Sequence, residues 1–228
     1  ALISTGDEIV APDEVPRKGQ IRNANHLSLT AMIAEAGARP IDLGVVRDDE
    51  GSLRRALAHA LEQGDVVFLS GGSSVGAKDM TLEVIASFAG SEVLFHGISY
   101  APGKPTILAR ALGLPIMGLP GHPVSALITF RLFGAPLLRI LAGERAEDAF
   151  RHDRTTRATL TRNVPSEPGR EDYVRITLER SENGTLRARP LPGKSGAIFS
   201  LVRADGMVRI PLESEGLEAG QEVEVVLF

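Results

Sequence analysis

The chain has no cysteine among its 228 residues. That excludes disulfides, thiolate metal sites and a cysteine nucleophile, and it fits a cytoplasmic protein. Long hydrophobic runs are missing as well. No uninterrupted apolar stretch approaches a membrane span and no signal peptide opens the chain, so no membrane partner is expected. Nor does charge of one sign dominate. The 25 Lys and Arg against 29 Asp and Glu give a net charge of −4, and the two signs are mixed along the chain. Without a basic face, nucleic acid is not an expected partner. Scattered histidines without cysteine exclude a zinc site of the usual kind. There is no nucleophile elbow, no persuasive Ser/His/Asp spacing, no internal repeat and no low-complexity tract. The first residues, Ala1-Leu-Ile-Ser4, read as the middle of a buried strand and no methionine precedes them. The chain is therefore expected to be a piece of something longer.

What is present is apolar content of 43%, enough for real cores, and two glycine-rich turns. One is Ser70-Gly-Gly-Ser-Ser-Val-Gly-Ala-Lys-Asp79, after the strand-like run Val66–Leu69. The other is Gly118-Leu-Pro-Gly-His-Pro-Val-Ser125, after Leu114–Met117. Glycine turns sharply and brings backbone N–H groups against an anion without side-chain interference. A helix start behind the turn adds the positive end of its dipole. One such turn is more often plain βα geometry; a pair in one α/β domain points to a phosphate-bearing small molecule. Ser70, Ser73, Ser74 and Ser125 read as hydrogen-bond donors to it and not as nucleophiles.

Up to about Gly143 the chain alternates strand-like runs with helical patterns. The runs are Ala1–Ser4, Arg39–Val46, Val66–Ser70, Glu92–Ile98, Thr106–Ala109 and Pro115–Leu119. Leu29, Met32, Ile33 and Ala36 share one helical face, with Asn23 or Asn25 as cap and Gly37 as stop. Leu53, Ala56, Leu57, Ala60 and Leu61 form a second helix ending at Gly64. Thr81–Phe88 forms a third, and the apolar Pro123–Leu141 a fourth. The fold class is α/β, a mostly parallel sheet with helices on both faces. Ligands of such sheets lie outside the carboxyl ends of the strands, where both glycine turns fall. Arg145–Arg154 reads as a linker or frayed helix end. From Thr156 the runs are short, alternating and broken by turns, with Asn183-Gly184 and Asp205-Gly206 as hairpin signals. The division expected is residues 1–147 as a ligand-binding α/β domain and 148–228 as a small all-β, barrel-like domain.

The same rim gathers the carboxylates Asp7, Glu8, Asp48, Asp49 and Asp79 from separate loops. Oxygen ligands of this sort suit Mg²⁺, which bridges to substrate phosphates. Turn or helix capping explains Asp7, Asp79 and the Asp48-Asp49 pair equally simply; Glu8 is a poorer turn residue and needs a function more. In Pro102-Gly-Lys-Pro105 the stiff turn can hold Lys104 against a phosphate, or simply expose it. His122, inside the second turn, can donate to a ligand or satisfy a backbone carbonyl.

Ser4-Thr-Gly-Asp-Glu8, Gly44-Val-Val-Arg-Asp-Asp49, Ser70–Gly76 with Asp79, Pro102–Pro105 and Gly118–Ser125 occur together and in order. Their combination resembles the molybdopterin molybdenumtransferases, the MoeA and gephyrin E-domain family. The tail, Gly196-Ala-Ile-Phe-Ser-Leu201, Ala204-Asp-Gly206, Ile210-Pro211 and Ser214-Glu-Gly216, resembles that family's C-terminal β domain. The resemblance implies insertion of molybdate into adenylylated molybdopterin, with cleavage of the phosphoanhydride, release of AMP and dependence on Mg²⁺. It implies Glu8, Asp48 and Asp79 as catalytic and cation-holding residues. It implies Thr5, Gly6, Asp7, Ser70, Gly71, Gly72, Ser73, Ser74, Gly76, Lys104, Pro120, Gly121, His122, Pro123 and Ser125 as the binding set. It also implies a homodimer whose partner completes the cleft, and a molybdopterin adenylyltransferase upstream. Two departures stand out. Where the family carries basic or amide side chains before Pro102, often two lysines four apart, this chain has Gly97 and Ala101. Two further domains that family members carry before the first motif do not fall within these 228 residues. The alternatives are a non-catalytic pterin-binding or scaffold module, and an adenylyltransferase, which lacks the β tail.

Overall fold

A computed structural model describes residues 1–71 and 75–228, and of residues 75–79 the backbone alone. The first half runs β1 (Leu2–Thr5), β2 (Ile9–Val10), β3 (Ile21–Arg22), α1 (Ala24–Glu35), β4 (Asp42–Val46), α2 (Glu50–Gln63), β5 (Val67–Gly71) and α3 (Val75–Ala86). It continues through β6 (Glu92–His96), β7 (Tyr100–Ala101), β8 (Ile107–Ala111) and β9 (Leu114–Leu119) to α4 (Pro123–Thr129). A π-helical turn, Phe130–Gly134, joins α4 to α5 (Ala135–Leu141), and α6 (Ala146–Ala149) follows.

Six strands form one sheet in the order β4-β1-β5-β9-β8-β6. Only β8 runs against the rest, antiparallel to β9 and to β6. The sheet is thus mostly parallel, as expected. Alternate residues of each strand face opposite sides. Ile3, Val67, Leu69 and Ile116 pack with Leu53 and Leu57 of α2 and with Val84 and Ile85 of α3. Leu2, Phe68, Met117 and Leu119 pack with Leu29 and Ile33 of α1 and with Phe130 and Leu138. Each such side chain stabilises the fold by about 1.5–3 kcal/mol relative to exposure. The register aligns the carboxyl ends that matter: Thr5 pairs with Gly71 and with Val46, and Ser70 with Leu119.

Three local readings change. The third helix begins at Val75, six residues before the expected Thr81, so the first glycine turn is shorter than it looked. The fourth is interrupted by the π turn, because Pro136 has no N–H to give the carbonyl four residues back. By length and composition Pro123–Leu141 is apolar enough to cross a membrane, which corrects the expectation that no stretch approaches a span. Its composition has another cause here. The helix is sandwiched, with Phe130 and Leu138 on the first sheet and Val124 and Ile128 against Met207 of the second.

The second half contains β10 (Thr155–Leu160), β11 (Val164–Pro165), β12 (Glu171–Arg180), β13 (Leu186–Pro190), α7 (Phe199–Val202), β14 (Gly206–Ile210), β15 (Gly216–Leu217) and β16 (Glu222–Leu227). The order β13-β10-β16-β14-β12, with β12 pairing back onto β13, closes a small barrel around Ile176, Ala188, Val208 and Val225. The Asn183-Gly184 turn joins β12 to β13 as a hairpin. Asp205-Gly206 does not make one: Gly206 opens β14, and a Cβ there would lie 2.3 Å from the Val226 carbonyl oxygen. Its glycine answers a close backbone approach. Arg145–Arg154, expected as a linker or frayed helix end, includes the short α6, whose Ala149 is fully buried and accepts a hydrogen bond from Arg139. One strand crosses over: β7 pairs with β12, Tyr100 beside Glu171 and Ala101 beside Asp172. The barrel sheet therefore grips the segment leading into Pro102–Pro105.

Candidate functional site

A cleft of about 470 Å³ opens at the carboxyl edge of the first sheet. Thr5, Glu8, Asp48, Ser70, Gly71, Gly121, His122 and Pro123 line it, together with the Ile21–Asn25 segment. Two glycines shape the strand ends beside it, Gly71 in its lining and Gly6 in the neighbouring hollow. Gly71 has φ +115°, and a Cβ there would lie 2.1 Å from the Thr5 carbonyl oxygen. Gly6 has φ +149°, with Glu8 Oε2 2.9 Å from where its Cβ would be. No other residue lets β1 and β5 approach this closely while Glu8 folds back over the turn.

Among the described residues, three polar atoms around this cleft are buried without a hydrogen-bond partner: Thr5 Oγ1, Asn25 Oδ1 and Asp48 Oδ1. A buried polar group left unpaired costs about 1–3 kcal/mol. Three around one cleft mark a surface shaped for something other than itself. Asp48 also has its carboxyl held above the ordinary range, first by burial and then by the charges of Glu8 and Asp7. Its neighbour Asp49 is a cap: its side chain accepts from Ser52 N at 2.8 Å and starts α2. Of the two readings open for this pair, capping thus belongs to Asp49. Glu8 and Asp48 line the cleft with hard oxygen donors of the kind Mg²⁺ takes. Among the described residues no group of three His, Cys, Asp or Glu gathers to hold a metal.

The other sequence-predicted residues scatter more. Gly6 and Asp7 line an adjoining hollow of about 570 Å³ with Arg47 and Asp49, and Asp48 borders both spaces. Asp7 Oδ1 accepts from the Asp48 backbone N–H at 3.4 Å. Pro120 and Ser125 are buried and do not line the cleft. Lys104 is exposed on its turn and lines neither space. That turn is braced from beneath by the Tyr100, Thr106 and Thr129 hydroxyls, and Thr106 donates to the Gly103 carbonyl at 2.7 Å. Gly72, Ser73 and Ser74 lie outside the described residues, and of Gly76, Lys78 and Asp79 only the backbone is described, within α3.

His122 lines the cleft, and a side chain holds it rather than a backbone carbonyl. Its Nδ1 pairs with Ser195 Oγ at 2.9 Å, and Val124 N–H, in the first turn of α4, donates to the Ser195 carbonyl at 3.0 Å. The loop after β13 thus docks on the second glycine turn and occupies a helix-terminal amide expected to face an anion. The same loop carries Gly193, whose carbonyl accepts from Arg175 Nη2 at 2.6 Å. Arg175 was missed by sequence reading. It is buried, its Nε has no partner, no carboxylate pairs with it among the described ion pairs, and burial lowers its pKa. No local pattern signals this; only the barrel closure creates it. Asn25 was seen only as a cap alternative. Asn23 is the cap, accepting from His26 N at 3.2 Å, and Asn25 is thereby released to the cleft.

Residues 1–140 match the family described as "Probable molybdopterin binding domain", and residues 157–228 match "MoeA C-terminal region (domain IV)". A putative molybdopterin biosynthesis protein of Methanocaldococcus jannaschii is 31% identical over 100% of this chain and 54% of its own length. A molybdopterin molybdenumtransferase of Bacillus subtilis is 32% identical over 100% of this chain and 52% of its own. The crystal structure of a molybdopterin biosynthesis MoeA protein from Pyrococcus horikoshii superposes with a TM-score of 0.81 at 40% identity, over 99% of this chain and 53% of that one. The chain spans about half the length of the curated relatives it matches.

Proposed function

Because the chain belongs to the family of probable molybdopterin binding domains and continues into the MoeA C-terminal region, we propose that it is the ligand-binding and catalytic part of a molybdopterin molybdenumtransferase. It binds adenylylated molybdopterin between the two glycine turns. Molybdate is inserted at the dithiolene, and water cleaves the phosphoanhydride to release AMP. The observation that carries this reading is the set of three unpartnered atoms, Thr5 Oγ1, Asn25 Oδ1 and Asp48 Oδ1, around one cleft at the sheet's carboxyl edge.

Each residue has a task in this reading. Gly71, Gly72 and Gly76 present backbone to the phosphates, and Thr5 and Ser70 add hydroxyls. Glu8, Asp48 and Asp79 would hold the cation, which would supply neutralisation of charge on the leaving phosphate. The unpartnered Asp48 Oδ1, with Glu8 lining the same cleft, fits such a cation. Arg175 donates to the Gly193 carbonyl and so steadies the loop that docks on the second glycine turn. Residues 1–147 form the ligand-binding unit and 148–228 the barrel that docks on the second turn. In a homodimer the partner closes the cleft, and a molybdopterin adenylyltransferase supplies the substrate in the cytoplasm.

Titration with adenylylated molybdopterin, with and without Mg²⁺ and molybdate, tests the reading by following AMP. The expected result is binding by this chain, and AMP release that requires both ions in the full-length protein. Failure of the chain to bind the adenylylated pterin overturns it. A second reading, a non-catalytic pterin-binding module, is favoured by Gly97 and Ala101 alone. Binding without AMP release in the full-length protein selects it.

A further inference from the structure

The two glycine turns come from strands that are neighbours in the sheet, but one side chain from outside the sheet joins their polar ends. Asn25 Nδ2 donates to Ser70 Oγ at 2.9 Å and to the Gly121 carbonyl at 2.9 Å. These partners lie 45 and 96 residues away in sequence. The Gly121 carbonyl can only accept, so the amide must present its nitrogen there, and the orientation of the group is settled. Asn25 is 7% exposed, and its Oδ1 takes no partner. Its position is itself fixed from behind. Asn23, two residues earlier, caps α1 and accepts from Ser4 Oγ of β1 at 3.3 Å.

We infer that Asn25 is a positioning residue that sets the gap between the two glycine turns, and so the width of the cleft into which a phosphate-bearing pterin must fit. Its consequence for ligand binding rests on the proposed function; the brace itself does not. An amide is required because both hydrogens of one nitrogen are used. A carboxylate of the same shape has none to give and meets the Gly121 carbonyl with like charge.

Hydrogen exchange of the ligand-free 228-residue chain tests the brace, and the dissociation constant for adenylylated molybdopterin tests its consequence. Asn25→Ala is expected to raise exchange in residues 66–71 and 118–125 together, and to weaken binding about tenfold, as the loss of two buried hydrogen bonds implies. Asn25→Asp, which keeps the shape, is expected to open both turns as much. Ile33→Val, a truncation in the apolar core on the same helix, is expected to lower the melting temperature while leaving exchange at the turns and affinity within about twofold. Unchanged exchange at either turn in Asn25→Ala, tolerance of Asn25→Asp, or reproduction of the whole effect by Ile33→Val overturns the inference. If the wild-type chain fails to bind the adenylylated pterin, the proposed function falls, and the exchange result still decides the brace.

Discussion

At the carboxyl edge of the parallel sheet, Thr5, Asn25 and Asp48 each keep a buried polar atom without a partner. In the barrel, the buried Asp172 accepts three hydrogen bonds, from Ser166 Oγ at 2.8 Å, Arg170 Nε at 3.0 Å and Arg170 Nη2 at 3.3 Å. A fold under selection for stability alone would satisfy both sets alike. The edge of the first sheet does not, and its unsatisfied atoms surround one space. Among the described residues the barrel has one comparable lapse, Arg175, whose guanidinium donates to the loop that docks on the second glycine turn, and α1 has another, Thr30 Oγ1, which does not line the cleft. Among the described residues, three of the five buried side-chain atoms without a partner thus lie around the cleft.

The largest test of this contrast is Gly71→Ala. With φ +115° and the Thr5 carbonyl oxygen 2.1 Å from the new Cβ, the variant should lose about 4 kcal/mol of stability from strain and overlap. Ligand binding should go with it, as denaturant unfolding and titration would show. Asp172→Ala comes next: about 2 kcal/mol of stability lost, with ligand affinity unchanged. Thr5→Val should do the reverse. It removes an unpaired hydroxyl at constant shape, so stability should stay level or rise by about 1 kcal/mol while affinity for the adenylylated pterin falls. Equal behaviour of the two variants in both measurements would erase the contrast. Arg175→Met should leave stability within about 1 kcal/mol, since a buried cation without a carboxylate gives little back.

Much of the first half was legible because its signals are local. Alternating apolar runs gave six strands, Gly37 and Gly64 closed two helices, and the glycine turns marked the strand ends. The barrel was legible as a class, from short strands and turn residues, but its closure by β12 onto β13 was not, because pairing partners are not written locally. The same reason hid Arg175, and hid the loop that reaches His122. Lys104 stood open between a ligand contact and simple exposure on a stiff turn, and its side chain is exposed and outside the cleft. Asn25 was ambiguous in a narrower way. Two asparagines one residue apart offered the same cap, and only the contacts of Ser4 and Ser70 decide which one does it.

The smallest effect concerns neighbours that divide the two roles, Asp48 in the cleft and Asp49 at the start of α2. The Ser52 backbone N–H, donating to the Asp49 carboxylate, holds its pKa below the ordinary carboxylate range. A depressed folded-state pKa means that the charged form is favoured by folding. The stabilisation is therefore fully present above the ordinary Asp pKa and is lost as pH falls through the depressed one. Asp49→Asn keeps a capping oxygen and removes the titration. Its melting temperature should match wild type at low pH and fall slightly below it near neutrality, where the wild-type carboxylate is charged at the helix N-terminus. Because Asp49 faces the adjoining hollow and does not line the cleft, affinity for the adenylylated pterin should not change. A loss of affinity in Asp49→Asn as large as that in Asp48→Asn would mean that the pair acts as one acidic site, and the division between cap and ligand would fail.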